Sequence, residues 1–258
     1  MFLPGKPHRV KEIEMSLLKT HVAKAEKVAS NVIYLQIARP EGFSWRTGEF
    51  AMLGLKVGEE QVMRCYSIAS VGNSETVDFF IANVKGGQLS PKMNALKDGD
   101  EVYLDSEVGG MLLADRLEQG GKDLWLFGSG TGVAPFMAVT SDSAIMDRYE
   151  NVILVHGVRT WDETGYVARM VRRSPKLQVI CAVTREPNAM ITKRIPDALA
   201  DGSLQSIAGI QIEKTHSRAM LCGNPGMVKG VRDYLKSLGM VSPRGGNPGQ
   251  VLVENFWI

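Results

Sequence analysis

The residues best suited to chemistry lie in short clusters, and the first is Arg64-Cys65-Tyr66-Ser67-Ile68-Ala69-Ser70. On an extended chain Arg64, Tyr66 and Ile68 face one way while Cys65, Ser67 and Ala69 face the other. Arg64 offers a forked donor for phosphate. Tyr66 offers a flat face with a polar tip, and Ser67 a small hydroxyl that can reach a ring nitrogen. A planar, phosphate-bearing cofactor lying across a strand end would use all three. The alternative is a surface Arg, a packed Tyr and solvated serines.

Gly86-Gly87-Gln88-Leu89-Ser90-Pro91 follows a strand pattern and opens a short helix, a place where bare backbone N–H groups attract anions. A plain Gly-Gly turn with Ser90 as helix cap is the competing reading. Gly128-Ser129-Gly130-Thr131-Gly132-Val133-Ala134-Pro135 stands between an apolar strand and a helix, the setting in which a dinucleotide phosphate meets a helix start. Its spacing is GxGxGxxP rather than GxGxxG. Arg159 ends the next strand, where a site for an unphosphorylated ribose would place a carboxylate. Thr184-Arg185-Glu186 ends the strand after that, with Lys193-Arg194 beyond. Arginines on that edge suit a 2′-phosphate, or form a solvated basic rim. Cys222-Gly223-Asn224-Pro225 ends a later strand at a helix start. The chain closes on Val251-Leu252-Val253-Glu254-Asn255-Phe256-Trp257-Ile258.

Two textures position these clusters. From Lys19 to about Leu113, short β-branched runs fenced by Gly, Pro, Asn and Asp predict a closed antiparallel β-barrel of Greek-key type. Its strands are His21–Val28, Val32–Ala38, Glu49–Leu55, Met63–Ser70, Thr76–Asn83 and Glu101–Leu104, with a short helix at Lys92–Leu96. A further short helix is read at Val10–Leu18. From Asp123 onward strands alternate with helices, predicting an α/β doubly wound parallel sheet. Its strands are Asp123–Phe127, Val152–His156, Leu177–Val183 and Arg218–Cys222. The helices run over Val133–Tyr149, Thr164–Ser174, Ile195–Ala200 and Pro225–Leu238. The boundary is set near residue 117, giving domains 1–117 and 118–258 with a shared cleft.

Composition bounds the function. The 258 residues are 44% hydrophobic and 22% charged, enough for two ordinary cores, and the net charge of +2 gives no reason to expect nucleic acid as the partner. Three scattered cysteines (Cys65, Cys181, Cys222) cannot form a four-thiolate cluster and make a poor disulfide framework. The four histidines (His8, His21, His156, His216) lack metal-ligand spacing, so no metal is expected. No signal-peptide core and no apolar run near ~20 residues is present, so a cytoplasmic chain without a membrane role is expected. A monomer is the first expectation.

In order and in kind, these clusters resemble the ferredoxin–NADP reductase superfamily from about Lys19 to the C-terminus, and most of all its bacterial ferredoxin/flavodoxin reductases. The resemblance implies FAD in the barrel, NADP(H) on the parallel sheet, and ferredoxin or flavodoxin as acidic carrier. It makes Arg64, Cys65, Tyr66, Ser67, Phe80, Gln88, Leu89, Ser90 and Thr131 flavin contacts, with Phe256 and Trp257 of the tail. It makes Gly130, Thr131, Arg159, Thr184, Arg185, Arg194 and Cys222 nucleotide contacts, with Arg185 and Arg194 as the phosphate clamp. Ser67, Tyr66, Cys222 and Glu254 are then the groups around the hydride transfer, Cys222 positioning the nicotinamide and Glu254 open to a proton-relay role. Two rival functions remain: a reductase component serving an oxygenase, free flavin or quinone, and a non-catalytic flavin module.

Overall fold

The computed structural model describes residues 16–170 and 174–255. The first half is a six-stranded antiparallel sheet built from β1 (Leu17–Ala29), β2 (Val32–Ala38), β3 (Phe50–Val57), β4 (Glu60–Ser67), β5 (Thr76–Ala82) and β6 (Glu101–Gly109), with a one-turn helix α1 (Ser90–Met93) before β6. Its order is β4-β3-β6-β1-β2-β5. Placing β6 between β3 and β1 is the long return of a Greek key. The sheet curls so that Ala69 N–H, just past β4, bonds Asp78 O of β5 at 2.8 Å, and Ser70 Oγ accepts from Asp78 N–H at 3.1 Å. Val22, Leu35, Ile37, Leu53, Ile68, Phe79 and Leu104 fill the interior at 0% exposure.

The second half carries β7 (Asp123–Ser129), α2 (Ala134–Ser141), α3 (Ser143–Met146), β8 (Asn151–Val158), α4 (Gly165–Met170), β9 (Leu177–Val183), α5 (Ile195–Ala200), α6 (Ser203–Ala208), β10 (Ser217–Gly223), α7 (Pro225–Ser237) and β11 (Val251–Asn255). The order β11-β10-β7-β8-β9 is parallel throughout. The chain winds one way from β7 to β9 and the other way to β10 and β11, as a doubly wound sheet does. Strand alternation splits its core in two. Trp125, Phe127, Ile153 and Val155 pack beneath α5 and α7, whereas Leu124, Leu126, Val152 and Leu154 face the other way.

That second face does not stop at the sheet. The same buried cluster takes in Val28, Val32, Tyr34, Ala69 and Phe80 of the barrel. At its centre the rings of Tyr34 and Phe80 lie 5.1 Å apart and those of Phe80 and Tyr166 5.0 Å apart, with His156 edge-on to Tyr166 at 5.9 Å. Polar ties surround this row. Asp162 Oδ2 accepts from Ser30 N–H at 2.6 Å, Glu163 Oε1 from Asn31 Nδ2 at 3.3 Å, and Asp142 Oδ2 from Thr47 Oγ1 at 2.7 Å.

Several elements depart from the sequence-based expectation, each for a local reason. The helix expected over Val133–Tyr149 breaks at Asp142, whose extended backbone and side-chain bond to Ala144 N–H at 3.0 Å start a second helix. β6 runs on to Gly109 because its far end pairs with Phe50 and Ala51 of β3, beyond the stretch Glu101–Asp105 that pairs with β1. Helix α1 starts at Ser90 with Leu89 before it, so Ser90 is not the cap. Of the helix expected at Val10–Leu18, Leu17 and Leu18 lie in β1 and positions 10–15 fall outside the described residues. Because Phe80 is wedged between aromatic rings of both halves, Phe80→Ala should cost about 3–5 kcal/mol of unfolding free energy. Urea titration of the purified protein measures this, and a loss below about 1 kcal/mol would show that the shared core is not what joins the halves.

Candidate active site at the junction of the two sheets

In a doubly wound sheet, ligands bind beyond the carboxyl ends of the strands where the winding reverses, here between β7 and β10. Two turns interlock at that point. The loop after β7 passes through a 3-10 turn, Gly130–Val133, into α2. A Cβ on Gly132 would come within 2.6 Å of the Cys222 carbonyl oxygen, and one on Gly223 within 2.1 Å of Ser129 Oγ, so neither position has room for a side chain. Ser129 Oγ in turn accepts from Asn224 N–H and Nδ2, both at 3.0 Å, and Asn224 Oδ1 caps α7 by accepting from Met227 N–H at 2.9 Å. The alternating Gly residues thus serve close backbone packing as much as phosphate approach.

The barrel contributes the end of β4. Arg64 is exposed, with Nη1 donating to the Met63 carbonyl at 2.7 Å, and Cys65 is exposed beside it. Tyr66 is half-buried with its ring edge toward Phe79, 6.5 Å between centroids. Burial drives its phenol up to about 12 against the opposing pull of Arg64, so the group stays a neutral donor. Ser67 is buried and its Oγ makes no hydrogen bond among the described residues. Beyond it the expected alternation fails: Ile68, Ala69 and Ser70 are all buried as the chain turns inward.

Ser67 lies against the second half. Cys222 of β10 is fully buried and stands in register with Gly128 on one side and Glu254 of β11 on the other. Burial first, and the Glu254 carboxylate second, push its thiol well above the ordinary range, while the Ser67 hydroxyl draws it back. The hydroxyl is near enough to influence the thiol yet is not aligned for a hydrogen bond. A thiol held protonated is a poor nucleophile and a suitable neutral contact for a ring. Glu254 is 9% exposed; Oε2 accepts from Met111 N–H at 3.0 Å, and Oε1 is buried without a partner among the described residues. Desolvation raises its carboxyl to about 7, with the Met111 bond opposing. The same carboxylate, after burial, lifts the Cys65 thiol. A hydroxyl, a thiol and a carboxyl from β4, β10 and β11 therefore converge, two of them with unpartnered oxygens.

On the other side of the loop, the carboxyl ends of β8 and β9 sit together: Arg185 N–H bonds the Arg159 carbonyl at 2.9 Å, and Thr184 Oγ1 donates to Val158 O at 3.1 Å. Arg159, Arg185 and Arg194 are exposed, and none of their guanidinium groups has a hydrogen-bonding or ion-pair partner among the described residues. Lys193 differs, being paired with Asp201. Glu163 fixes the Arg159 turn by accepting from its N–H at 2.9 Å and completing a capping box with Thr160. The Thr-x-x-Glu spacing was a readable signal for that turn.

Other expected contacts are placed differently. Phe80 is 3% exposed inside the shared aromatic row, and Leu89 is 3% exposed in the barrel core. Ser90 Oγ is engaged by Val84 N–H at 3.0 Å, while Gln88 is exposed. Thr131 is half-buried in the glycine loop. Phe256 and Trp257 lie outside the described residues. A separate groove of about 510 Å³ between Trp45–Thr47 and Asp142–Arg148 shares no residue with the junction.

Comparison with known proteins decides the family. The oxidoreductase FAD-binding domain family matches residues 19–111 and the oxidoreductase NAD-binding domain family residues 126–233. A ferredoxin–NADP reductase of Pseudomonas aeruginosa is 37% identical over 233 residues, covering 85% of this chain and 90% of that protein. The chain belongs to the ferredoxin–NADP reductase family. A flavodoxin/ferredoxin–NADP reductase of Escherichia coli is 33% identical, covering 81% of this chain and 87% of its own length. The crystal structure of a ferredoxin NADP+ reductase from Neisseria gonorrhoeae with bound FAD and NADP superposes with a TM-score of 0.88 at 29% identity, over 95% of this chain and all of that one. The junction of this reductase-family chain fits such groups: Ser67 Oγ and Glu254 Oε1, unpartnered among the described residues, and the arginines whose guanidinium groups are free among them are polar atoms of the kind that a flavin ring and a phosphorylated nucleotide can satisfy. Among the described residues, no helix is long and apolar enough to cross a membrane.

Because Glu254 binds its proton more tightly folded than unfolded, the native state holds extra protons between about pH 4.5 and 7, and stability falls as pH rises through that window. Relative to Glu254→Gln, the wild-type protein should lose up to about 3 kcal/mol between these limits. Urea unfolding at a series of pH values measures the difference. Parallel profiles for the two proteins would show that Glu254 is not buried as described.

Proposed function

We propose that this chain is a flavoenzyme that transfers a hydride between NADPH and FAD and single electrons between the flavin and a ferredoxin or flavodoxin, with residues 1–117 serving the flavin and 118–258 the nucleotide. The observation that carries the reading is the meeting of Ser67, Cys222 and Glu254, from both sheets, at the winding reversal of the parallel sheet. The family membership and the relatives' names, which pair FAD and NADP with ferredoxin or flavodoxin, support it.

When bound, FAD supplies a ring system that exchanges electrons in a pair or one at a time. The chain's own groups bind and align. Arg64, with its spare guanidinium donors, takes a phosphate, and Tyr66 offers its ring face beside it. Ser67 Oγ, without a hydrogen-bond partner among the described residues, hydrogen-bonds a ring nitrogen and so orients the flavin. Gln88, Leu89 and Ser90 present the Gly86–Gly87 turn to the pyrophosphate. Gly130 and Thr131 carry the nucleotide over the junction, and the neutral Cys222 thiol sets the nicotinamide against the flavin. Arg159, Thr184, Arg185 and Arg194 take the adenosine 2′-phosphate, and unpaired guanidinium groups are what such a dianion needs. Glu254, titrating near neutrality, exchanges a proton at the junction as electrons enter and leave.

The purified protein should be yellow, and anaerobic NADPH should bleach it; a yellow protein that NADPH leaves oxidised refutes the reading. Arg185→Ala should raise KM for NADPH roughly tenfold or more while leaving KM for NADH nearly unchanged. Equal effects on both coenzymes would remove Arg185 from the phosphate site. Ser67→Ala should slow flavin reduction roughly tenfold or more in stopped-flow traces at saturating NADPH, since an alignment donor is lost.

A further inference from the structure

One titratable side chain at full burial has no part in the scheme above. His156 sits mid-sheet on β8, 0% exposed, between Gly128 of β7 and Cys181 of β9. Its Nε2 lies 3.0 Å from the Gly130 carbonyl oxygen, and its Nδ1 is buried with no partner among the described residues. A carbonyl oxygen only accepts, so Nε2 must carry the proton. Burial holds the ring neutral, its pKa down at about 4, so Nδ1 is bare.

We infer that His156 is a positioning residue for the nucleotide, acting through the glycine loop. The chain of reasoning is short. Gly130 has φ +55°, a left-handed conformation that leaves its peptide free to turn unless something holds it. The His156 Nε2–H draws the Gly130 carbonyl down toward the sheet. In a trans peptide the C=O and the following N–H point in opposite directions. The N–H of Thr131 is therefore turned away from His156. Thr131 lies in the first turn of the helical stretch, where backbone N–H groups have no preceding carbonyl to bond. One buried imidazole thus keeps a bare donor presented to the ligand. The ring is itself held by Tyr166, whose ring lies edge-on at 5.9 Å and stacks onward to Phe80 of the barrel. The orientation of the loop is in this way tied to the docking of the two halves.

This inference rests on the reading of the junction as an NADP site, and the test separates the two. His156→Leu keeps the volume and removes the donor; His156→Gln keeps an amide donor near the Nε2 position. Calorimetric titration of the purified flavoprotein with NADP+, beside steady-state kinetics with NADPH and ferricyanide, reads binding and turnover separately. The leucine variant should bind NADP+ and NADPH roughly three- to tenfold more weakly, with kcat changed by less than KM, and the glutamine variant should recover most of the loss. Equal weakening in both variants would make His156 a space-filler, and wild-type binding in the leucine variant would remove it from nucleotide positioning. If the leucine variant does not fold, imidazole 15N shifts of the wild-type protein decide instead. They should report a neutral Nε2–H ring from about pH 5 to 8 that shifts on adding NADP+; an Nδ1–H tautomer or an imidazolium overturns the inference. A wild-type protein that binds no NADP+ overturns the reductase reading itself, and this inference with it.

Discussion

The structure depends on an apolar core that belongs to neither half alone. Tyr34 and Phe80 from the barrel and Tyr166 from the parallel sheet form one row of rings, within a cluster running from Val28 to Leu252. Close packing of this kind has few alternative arrangements, so it sets the angle between the sheets as firmly as a single domain's core would. The hydrogen bonds at Ser30, Asn31 and Thr47 add direction to that contact. Only with the angle set does the end of β4 arrive at the ends of β10 and β11.

What arrives there is chemistry left unsatisfied. Folding ordinarily pairs most buried polar atoms, yet Ser67 Oγ and Glu254 Oε1 are without partners among the described residues. The cost of burying them is tolerable where a ligand completes the bonds. The environment also selects protonation states that suit binding more than nucleophilic attack: a thiol held neutral, a phenol held neutral, and one carboxyl brought near neutrality. Such a site aligns and polarises, and leaves redox chemistry to what it holds.

How much of this was legible beforehand varies by residue. The glycine loop and Cys222-Gly223 stand at strand ends, as their flanking patterns required, and the parallel and antiparallel halves follow from the two kinds of hydrophobic spacing; Arg64-x-Tyr66-Ser67, read inside a strand Met63–Ser70, instead closes β4, which runs over Glu60–Ser67. Phe80 and Leu89, which the resemblance makes flavin contacts, are 3% exposed and packed in the shared row and the barrel core, a burial that the residue pattern did not reveal because it depends on which segments fold over them. The break at Asp142, inside Thr140-Ser141-Asp142-Ser143, was hidden because the apolar runs on either side read as one continuous helix. His156 carried no pattern at all, since one histidine in a buried strand looks the same whether or not it holds a neighbouring carbonyl.

By itself the amino-acid order determined what local geometry can determine. It set which segments are strands or helices, where glycine permits tight turns, and which strand ends carry cations, hydroxyls and a thiol. Those are properties of φ/ψ preference and periodicity, and they act over a few residues. The tertiary structure alone decided that Ser67 meets Cys222 across 154 intervening positions and that Glu254 sits in register beside that thiol. It alone decided that the Glu254 carboxyl titrates near neutral pH, because desolvation depends on every atom packed around a group and not on its neighbours in the chain.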